Sequence, residues 1–304
     1  MRRIESVGEP ALARLTPGVE GRVHTSYRGA VNILLPVGLV SIVPRSAGRG
    51  PLNLVVGEWR AEDRGLGFEE GQRVVIRDKV VAVGKDVLSF ADAHVYNPHP
   101  ISRLLPTDKI RRNVNRALGL IGSEGRLEGL GGLVQMLGGS TADTSSDRSA
   151  FMSAALHRSA RLARALESRD VGEISMAGKG LLGLGIGLTP SGDDLLCGVF
   201  VAIVLGSRSG FEIPRGLQPI FAEIASSHGR TTLLGREFLL QASLGKANEK
   251  VIDFVSALYA SDVDVMVKSL KALLAMGETS GTDTALGVIV GAKSSLGWAR
   301  RKLA

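Results

Sequence analysis

Residues 183–198 constrain the fold of this chain more than any other stretch. They read Gly183-Leu-Gly-Ile-Gly-Leu-Thr-Pro-Ser-Gly-Asp-Asp-Leu-Leu-Cys-Gly198 and lead into an apolar run that ends at Leu205. A helix that is apolar on every side is buried in the core of a protein. We therefore predict a core helix whose polar first turn faces a ligand or another part of the chain.

A second stretch, residues 278–287, repeats this pattern. Superposed without a gap, the two stretches match in identity and spacing, so that Ser191, Gly192, Asp194 and Gly198 fall on Ser280, Gly281, Asp283 and Gly287. The last glycine of each set lies about one helical turn beyond the aspartate. A small residue there lets two helices cross closely, and Gly291 extends this thin face. We interpret the two stretches as two halves of one site.

The first turns of two such helices would suit a small anion. A helix N-terminus has unpaired N–H groups and a partial positive charge, and it therefore binds phosphate and carboxylate groups well. Glycines let the backbone approach such a ligand and adopt positive φ. The predicted anion-binding residues of the two stretches are Gly185, Gly187, Thr189, Ser191, Gly192, Thr279, Ser280 and Gly281.

The carboxylates of Asp193, Asp194 and Asp283 need a separate explanation, since they would repel a bound anion. They could hold Mg²⁺ that bridges to a phosphate, act as a general base toward an amide or hydroxyl, or point away and pair with arginine. The sequence leaves these alternatives open. We treat the three aspartates as candidate catalytic residues and as possible Mg²⁺ ligands, without assigning a metal site, and Mg²⁺ is the one cofactor they suggest.

A simpler interpretation needs no ligand. Ser191 with Asp194, and Ser280 with Asp283, have the spacing of capping boxes, a common way to begin a helix. Capping explains the serines and the aspartates. It does not explain the glycine after each serine, the additional Asp193, or the alternating glycines that precede the first motif.

A third polar helix start lies at residues 226–232. Arg230 could hold a carboxylate or phosphate through two parallel hydrogen bonds, with His228 and Thr231 beside it. We include these three residues as candidate substrate-binding residues. An ordinary N-cap with a solvated arginine explains the same pattern.

Composition narrows the classes of partner. The chain has 304 residues, 37 basic against 30 acidic, and a net charge of +7, which suits an anionic substrate or nucleic acid. The basic residues are scattered and only 4% of residues are aromatic, too few for a stacking platform, so we expect no nucleic acid as a partner.

The single cysteine, Cys197, excludes an internal disulfide and fits a reducing compartment; we expect it to be a small core residue. With no apolar segment behind Met1 and no run long enough to span a bilayer, we expect a cytoplasmic protein without membrane contact.

The distribution of periodicities predicts an α+β chain with two domains. Short β-branched runs between about residues 20 and 90 predict a small, mostly antiparallel sheet or barrel, with strands at 31–35, 39–43, 52–56, 73–76 and 80–83. Prolines at 98 and 100 mark the boundary. After Pro106 the period is helical, with one helix beginning at Ser146-Asp147 and others at about 217–227, 231–244, 248–259, 263–276 and 283–300. We predict a β-rich domain at 1–100 and a larger all-α domain at 101–304 that carries both motifs; the Gly-rich stretch 119–139 is a loop or a broken helix.

The motifs together resemble the AllH family. The resemblance rests on Gly-Leu-Gly-Ile-Gly-Leu-Thr-Pro-Ser-Gly-Asp-Asp at 183–194, Arg-Thr-Thr at 230–232, and Gly-Glu-Thr-Ser-Gly-Thr-Asp at 277–283. It extends in layout over most of the chain, with the β-rich start and the helical remainder. In the third motif, Gly235 stands where the resemblance leads us to expect a small hydroxyl residue.

This resemblance implies a subunit of an enzyme complex of three different subunits, oxamate carbamoyltransferase of anaerobic allantoin breakdown. The complex moves a carbamoyl group between oxalurate and phosphate, which yields oxamate and carbamoyl phosphate. On this basis the backbones at 185–192 and 280–281 would hold the anion and the oxyanion, and Asp194 or Asp283 would take or deliver the amide proton. The alternatives are a non-catalytic subunit that binds a small anion or assists assembly, and a structural helical protein in which both motifs only cap helices.

Overall fold

The structure is a computed structural model and describes residues 2–57, 59, 64–98, 101, 103–126, 128–138 and 150–300. The chain divides into two compact units, Met1–Pro98 and His99–Ala304. Of the residues at the expected boundary, 99 and 100 lie outside the described part of the chain. Each unit has its own hydrophobic core.

The first unit is a β-barrel with one short helix, α1 (Glu9–Arg14). Its strands are β1 (Arg2–Gly8), β2 (Glu20–Tyr27), β3 (Ala30–Leu35), β4 (Gly38–Pro44), β5 (Asn53–Val56), β6 (Arg73–Arg77), β7 (Val80–Val83), β8 (Asp86–Ser89) and β9 (His94–Tyr96). The order is β5-β4-β3-β2-β6-β7-β8-β1-β9, and a further pairing of β1 with β5 closes the sheet. Antiparallel pairs predominate, with parallel pairing of β4 with β5 and of β1 with β8 and β9.

The barrel is built largely from hairpins that the sequence predicts. β3 and β4 pair antiparallel across Pro36-Val37, with Leu35 opposite Gly38, and Gly38 has the positive φ that this tight turn requires. β6 and β7 pair across Asp78-Lys79. The side chains of alternate strand residues, such as Ile33, fill the interior. The sequence did not predict β1, and the β-rich region begins at Arg2 rather than near residue 20.

The regular secondary structure of the described residues of the second unit is all helical. Its helices are α2 (Thr107–Glu124), α3 (Leu133–Leu137), α4 (Ala150–Ser168), α5 (Val171–Leu181), α6 (Ser191–Arg208), α7 (Leu217–Ala225), α8 (Leu233–Ser243), α9 (Glu249–Ala260), α10 (Val263–Leu274) and α11 (Ser280–Arg300). The predicted order of a mostly antiparallel β domain and a larger all-α domain is confirmed. The predicted helix start at Ser146-Asp147 lies outside the described residues.

Two of these helices, α6 and α11, form the centre of the second unit. Every residue of α6 from Ser191 to Gly206 is buried except Cys197, which is partly buried, as the apolar run predicts. The helices cross in backbone contact at the paired glycines. A Cβ atom added at Gly198 would lie 2.1 Å from the Thr284 carbonyl oxygen, and one added at Gly287 would lie 2.0 Å from the Leu195 carbonyl oxygen. Only glycine permits this approach.

None of the helices in the described part of the chain is both long enough and apolar enough to cross a membrane.

Candidate functional site

The N-termini of α6 and α11 exchange side-chain interactions. The Ser280 hydroxyl group interacts with the carboxyl group of Asp194, and the Ser191 hydroxyl group interacts with that of Asp283. The two matching motifs therefore meet, each serine serving the aspartate of the other motif. Thr189 lies beside this contact between the two motifs, with its Oγ1 3.3 Å from Oγ of Ser280.

This exchange differs from the capping boxes that the spacing suggests. Ser191 and Ser280 are each the first residue of their helix. Pro190 occupies the N-cap position of α6, and no side chain caps that end. A capping-box serine sits one position earlier and bonds within its own helix. The interpretation of Ser191 with Asp194 as a capping box is therefore wrong.

Burial governs the acidity of the two facing aspartates. Asp194 is 7% exposed and Asp283 is 0% exposed. Burial raises the pKa of Asp194 well above its usual value, against the lowering effect of Ser280, and the nearby Asp283 and Asp193 raise this pKa further. Burial also raises the pKa of Asp283, while Leu130, Ser191 and Thr279 lower it. The protonated form of both groups is thereby favoured.

Each of the two facing aspartates also has one carboxyl oxygen whose hydrogen-bonding capacity is unused among the described residues. Oδ2 of Asp194 and Oδ2 of Asp283 are buried and have no hydrogen-bond partner of good geometry among the described residues. A buried oxygen without a partner costs about 1–3 kcal/mol. A buried oxygen of this kind needs a physical explanation. A proton bound to the oxygen, or a hydrogen-bond donor from a ligand, would provide one.

Asp193 makes different contacts from its neighbour Asp194. Its Oδ1 accepts a hydrogen bond of 2.9 Å from the Gly183 N–H, and its Oδ2 accepts one from the Thr231 hydroxyl group. Burial raises the pKa of Asp193, and these two bonds lower it. Asp193 thus ties the first motif to the third. Within the described part of the chain, no three His, Cys, Asp or Glu side chains are grouped to hold a metal ion.

The glycine after each serine has a packing reason. A Cβ atom at Gly192 would lie 2.1 Å from the Leu181 carbonyl oxygen, and one at Gly281 would lie 2.1 Å from the Leu273 carbonyl oxygen. The N–H of Gly192 bonds to the Leu184 carbonyl at 2.8 Å, and that of Gly281 to the Met276 carbonyl at 3.0 Å. The first turns of both helices are thus already bonded within the chain at these positions.

Unbonded N–H groups occur instead in the loop before α6, residues 183–190. The backbone N–H groups of residues 185–189 make no hydrogen bond to any other described residue. Gly183, Gly185 and Gly187 all have positive φ, and the Ile186 side chain between the last two is 94% exposed. Successive free N–H groups with such a backbone form an anion-binding concavity. This loop therefore offers a run of consecutive backbone donors before α6.

The third motif holds that loop in place. Thr232 caps α8 by accepting a bond of 2.9 Å from the Gly235 N–H, and its hydroxyl group donates to the Leu188 carbonyl oxygen. A Cβ atom at Gly235 would lie 2.3 Å from Oδ2 of Asp193, which explains why no larger residue stands there. The Arg230 side chain lines a separate cavity with α4 and α5, and His228 is exposed. The structure brings Thr231 to the first motif but not the side chains of His228 or Arg230.

Sequence reasoning missed one part of the site, the segment that covers Asp283. The N–H of Leu130 donates to Oδ1 of Asp283 at 2.6 Å, and a Cβ atom at Gly129 would lie 2.6 Å from both of its carboxyl oxygens. The N–H of Arg126 donates to the Thr282 hydroxyl group at 2.9 Å. Backbone donors leave no side-chain signature, and the only sequence signal was the Gly-rich patch after α2.

Cys197 lies one turn further along α6 and behaves as the sequence predicts for a core residue. Burial, together with the nearby Asp194 and Asp193, raises the pKa of its thiol well above the usual value. A thiol that resists ionisation is a poor nucleophile and a poor metal ligand.

Comparison with known proteins gives two matches, which lie in the two units. Residues 181–292 match the family described as oxamate carbamoyltransferase subunit AllH, and residues 3–95 match the AllH family N-terminal domain. The first match spans all three polar motifs, and the second spans the barrel. No solved structure matches the chain.

Proposed function

Since the chain belongs to the AllH family, we propose that it is a subunit of a carbamoyltransferase complex whose site combines the loop at 183–190 with Asp194 and Asp283. One observation carries this proposal. The loop, whose N–H groups at 185–189 have no partner among the described residues, runs directly into the helix that holds Asp194, where a buried carboxyl oxygen likewise has no partner among them. The site thus offers anion donors beside an acid.

The proposed reaction joins phosphate and oxalurate. An oxygen of phosphate attacks the ureido carbonyl carbon, the bond from that carbon to the nitrogen of the oxamate part breaks, and this nitrogen takes up a proton. The products are carbamoyl phosphate and oxamate, and the proton that phosphate loses balances the one that nitrogen gains. N–H groups that meet the developing oxyanion are the main means of accelerating such a transfer.

Asp194 is the residue that we assign to proton transfer. Burial raises its pKa, which favours the protonated form that a general acid requires. It would give its proton to the departing nitrogen and recover one from the attacking phosphate. Asp283, held by Leu130, Ser191 and Thr279, would keep the pair in position.

The family name also bears on partners. A subunit of oxamate carbamoyltransferase works with other subunits, so we propose a hetero-oligomer whose substrates are the small anions phosphate, carbamoyl phosphate, oxamate and oxalurate. The proposed setting is allantoin breakdown in the cytoplasm. The net charge of +7 favours anions of this kind.

A second function is favoured by the burial of the same carboxyl groups. Asp283 is 0% exposed and Asp194 is 7% exposed, and each interacts with the serine of the other motif. In this second function, the sole role of these enclosed carboxyl groups would be to hold α6 against α11. The chain would then bind a small anion at the loop or assist assembly, and another subunit would perform the chemistry.

Binding and turnover of Asp194→Asn distinguish the two functions. We would measure unfolding of the purified chain with phosphate, carbamoyl phosphate, oxamate and oxalurate, with and without Mg²⁺, and transfer activity of the assembled complex. A ligand at about a hundred times its Kd stabilises the folded chain by about 2.7 kcal/mol. The catalytic proposal predicts that the variant still binds and that the complex loses turnover.

Asp262→Asn is the matched control for the effect of Asp194→Asn on binding and turnover. Asp262 caps α10 by accepting a hydrogen bond from Val265, so this variant makes the same exchange at another helix start. Turnover that survives Asp194→Asn would favour the non-catalytic subunit. If none of the four anions stabilised the chain, either alone or in the complex, the catalytic function and the anion-binding form of the second function would both be rejected, and a role in assembly alone would remain.

A further inference from the structure

A second feature of the helical unit is a cationic cavity of about 430 Å³ between α4, α5 and the turn before α8. Four basic side chains line it, Arg158, Arg161, Lys179 and Arg230, and none of the described residues that line it is acidic. The cavity adjoins the loop at 183–190 through Leu182 but does not include Asp194 or Asp283. It forms a separate place where an anion could bind.

The charges of the cavity are only partly compensated. Arg161 pairs with Glu173 at 3.1 Å, and Lys179 pairs with Glu223. Arg158 donates to the Gly180 carbonyl oxygen at 2.8 Å, a neutral partner, and Arg230 makes no hydrogen bond or ion pair with a described residue. Neither of these two guanidinium groups therefore has a carboxylate partner among the described residues, and that of Arg158 is held in place by its hydrogen bond.

The wall of the cavity is apolar beside these charges. Met176 lines it and is 52% exposed, an unusual state for a methionine on a helix of this unit, and Leu182 lies beside it. A bare phosphate or oxamate ion would leave this wall and most of the volume unfilled. Sites for organic ligands typically have about 300–1,000 Å³ and combine an apolar lining with a few charged groups.

We propose that this cavity binds an organic phosphate, with its phosphate group between Arg158 and Arg230 and its apolar or planar body against Met176 and Leu182. A planar guanidinium group matches a phosphate through two parallel hydrogen bonds. The ion pairs with Glu173 and Glu223 hold the two other basic side chains, Arg161 and Lys179, in the cavity lining. This site stands independently of the function proposed for the loop and the aspartates.

Equilibrium binding to the full chain tests the proposal with a series of phosphates. The probes are inorganic phosphate, phenyl phosphate, glucose 6-phosphate and AMP, with adenosine as the uncharged body. We expect at least one organic phosphate to bind with a Kd at least about tenfold below that of inorganic phosphate. Arg158→Gln should raise that Kd about tenfold, the loss expected for one charge-assisted hydrogen bond. Met176→Ala should weaken binding of the organic phosphate but not of inorganic phosphate.

Arg164→Gln is the matched control, since Arg164 is exposed on the same helix and lies outside the cavity. Equal losses in Arg158→Gln and Arg164→Gln would show a general effect of net charge and overturn the proposal. The same conclusion would follow if no organic phosphate bound more tightly than inorganic phosphate. Asp194→Asn should leave this binding unchanged, so failure here and failure of the proposed transferase function remain distinguishable.

Discussion

Ser191, in the first turn of α6, interacts with the carboxyl group of Asp283 in α11 rather than serving only its own helix. Asp194, one turn along from Ser191, interacts with Ser280 of the opposite helix. The repeated Ser-Gly-x-Asp motif is therefore a device for joining two helices at their first turns. The paired glycines bring the same helices into backbone contact one turn further on.

A double-mutant cycle should detect this exchange. Residues in direct contact show coupling free energies of about 0.5–3 kcal/mol. We expect Ser191→Ala and Asp283→Asn to couple within this range when the free energy of unfolding is measured in urea. Ser191→Ala and Asp194→Asn should couple more weakly. The opposite order of the two couplings would mean that Ser191 acts as a capping residue within α6.

The buried carboxyl group of Asp194 should make stability depend on pH in a defined direction. Its pKa is raised in the folded chain above the value of about 3.9 in the unfolded chain. The folded state then holds the proton more tightly, so the contribution to stability is complete below about pH 4 and is lost as pH rises toward the folded pKa. Relative to Asp194→Asn, the wild type should lose up to about 1.4 kcal/mol per pH unit in that window.

Urea unfolding of both proteins between pH 2 and pH 8 measures this difference and also covers the range below about pH 4.3, the unfolded pKa of glutamate, that the control requires. Glu223→Gln provides a control of opposite sign, because the hydrogen bond from Lys179 lowers the pKa of Glu223. Its contribution should be present above the unfolded pKa and fall away as pH decreases through the folded pKa. A wild-type minus Asp194→Asn difference that stays flat with pH would contradict a raised pKa at Asp194.

The glycines at the helix crossing should tolerate no side chain. Gly198→Ala and Gly287→Ala each direct a methyl group into a backbone carbonyl oxygen, at 2.1 and 2.0 Å, and the helices must separate. Overpacking of a core typically costs about 1–3 kcal/mol, and we expect the upper part of this range or more. Gly297→Ala, in α11 with open space around the added carbon, should instead stabilise the helix by about 0.5–1 kcal/mol. Thermal or urea unfolding of the three variants gives the comparison, and equal effects would argue against close crossing.

Removal of the Thr231 hydroxyl group should loosen the junction between the first and third motifs. In Thr231→Val, the nearly unchanged shape leaves Oδ2 of Asp193 buried without its donor, which we expect to cost about 1–3 kcal/mol. Faster proteolysis within residues 183–190 should accompany the loss of stability. Ser226→Ala alters an exposed hydroxyl group at the end of α7 and should change neither measurement by more than about 0.5 kcal/mol. A stable Thr231→Val protein would show that Asp193 is held by Gly183 alone.

The parts of the fold that the sequence predicted are those set by local pattern. The hairpin of β3 and β4, the wholly buried α6 and the later helices follow from turn residues and periodicity over a few neighbouring positions. β1 was not predicted because its pairing depends on residues far along the chain, opposite β5, β8 and β9. Its own residues, Arg2–Gly8, contain no run of β-branched side chains.

The candidate site likewise has parts that the local sequence pattern predicted and parts that depend on residues far apart in the chain. Matching spacing predicted that the two motifs would meet, but not that each serine would serve the other motif's aspartate. The glycines at 192 and 281 suggested a ligand, whereas they accommodate a neighbouring carbonyl oxygen. The backbone donor of Leu130 could not be predicted, since every residue except proline has an N–H and only the fold selects one.

The closed barrel of the first unit has a consequence for biosynthesis. β1 is the first strand of the barrel to be translated. Its partner β5 ends at Val56, but β8 and β9, which pair with its other edge, end at Ser89 and Tyr96, so that edge must wait for nearly the whole unit. Until then the nascent chain carries an unpaired strand edge, which invites association with other chains. Pairing between such distant segments is also slow. We therefore expect the yield of correctly folded protein, more than its final stability, to depend on translation speed and chaperone supply.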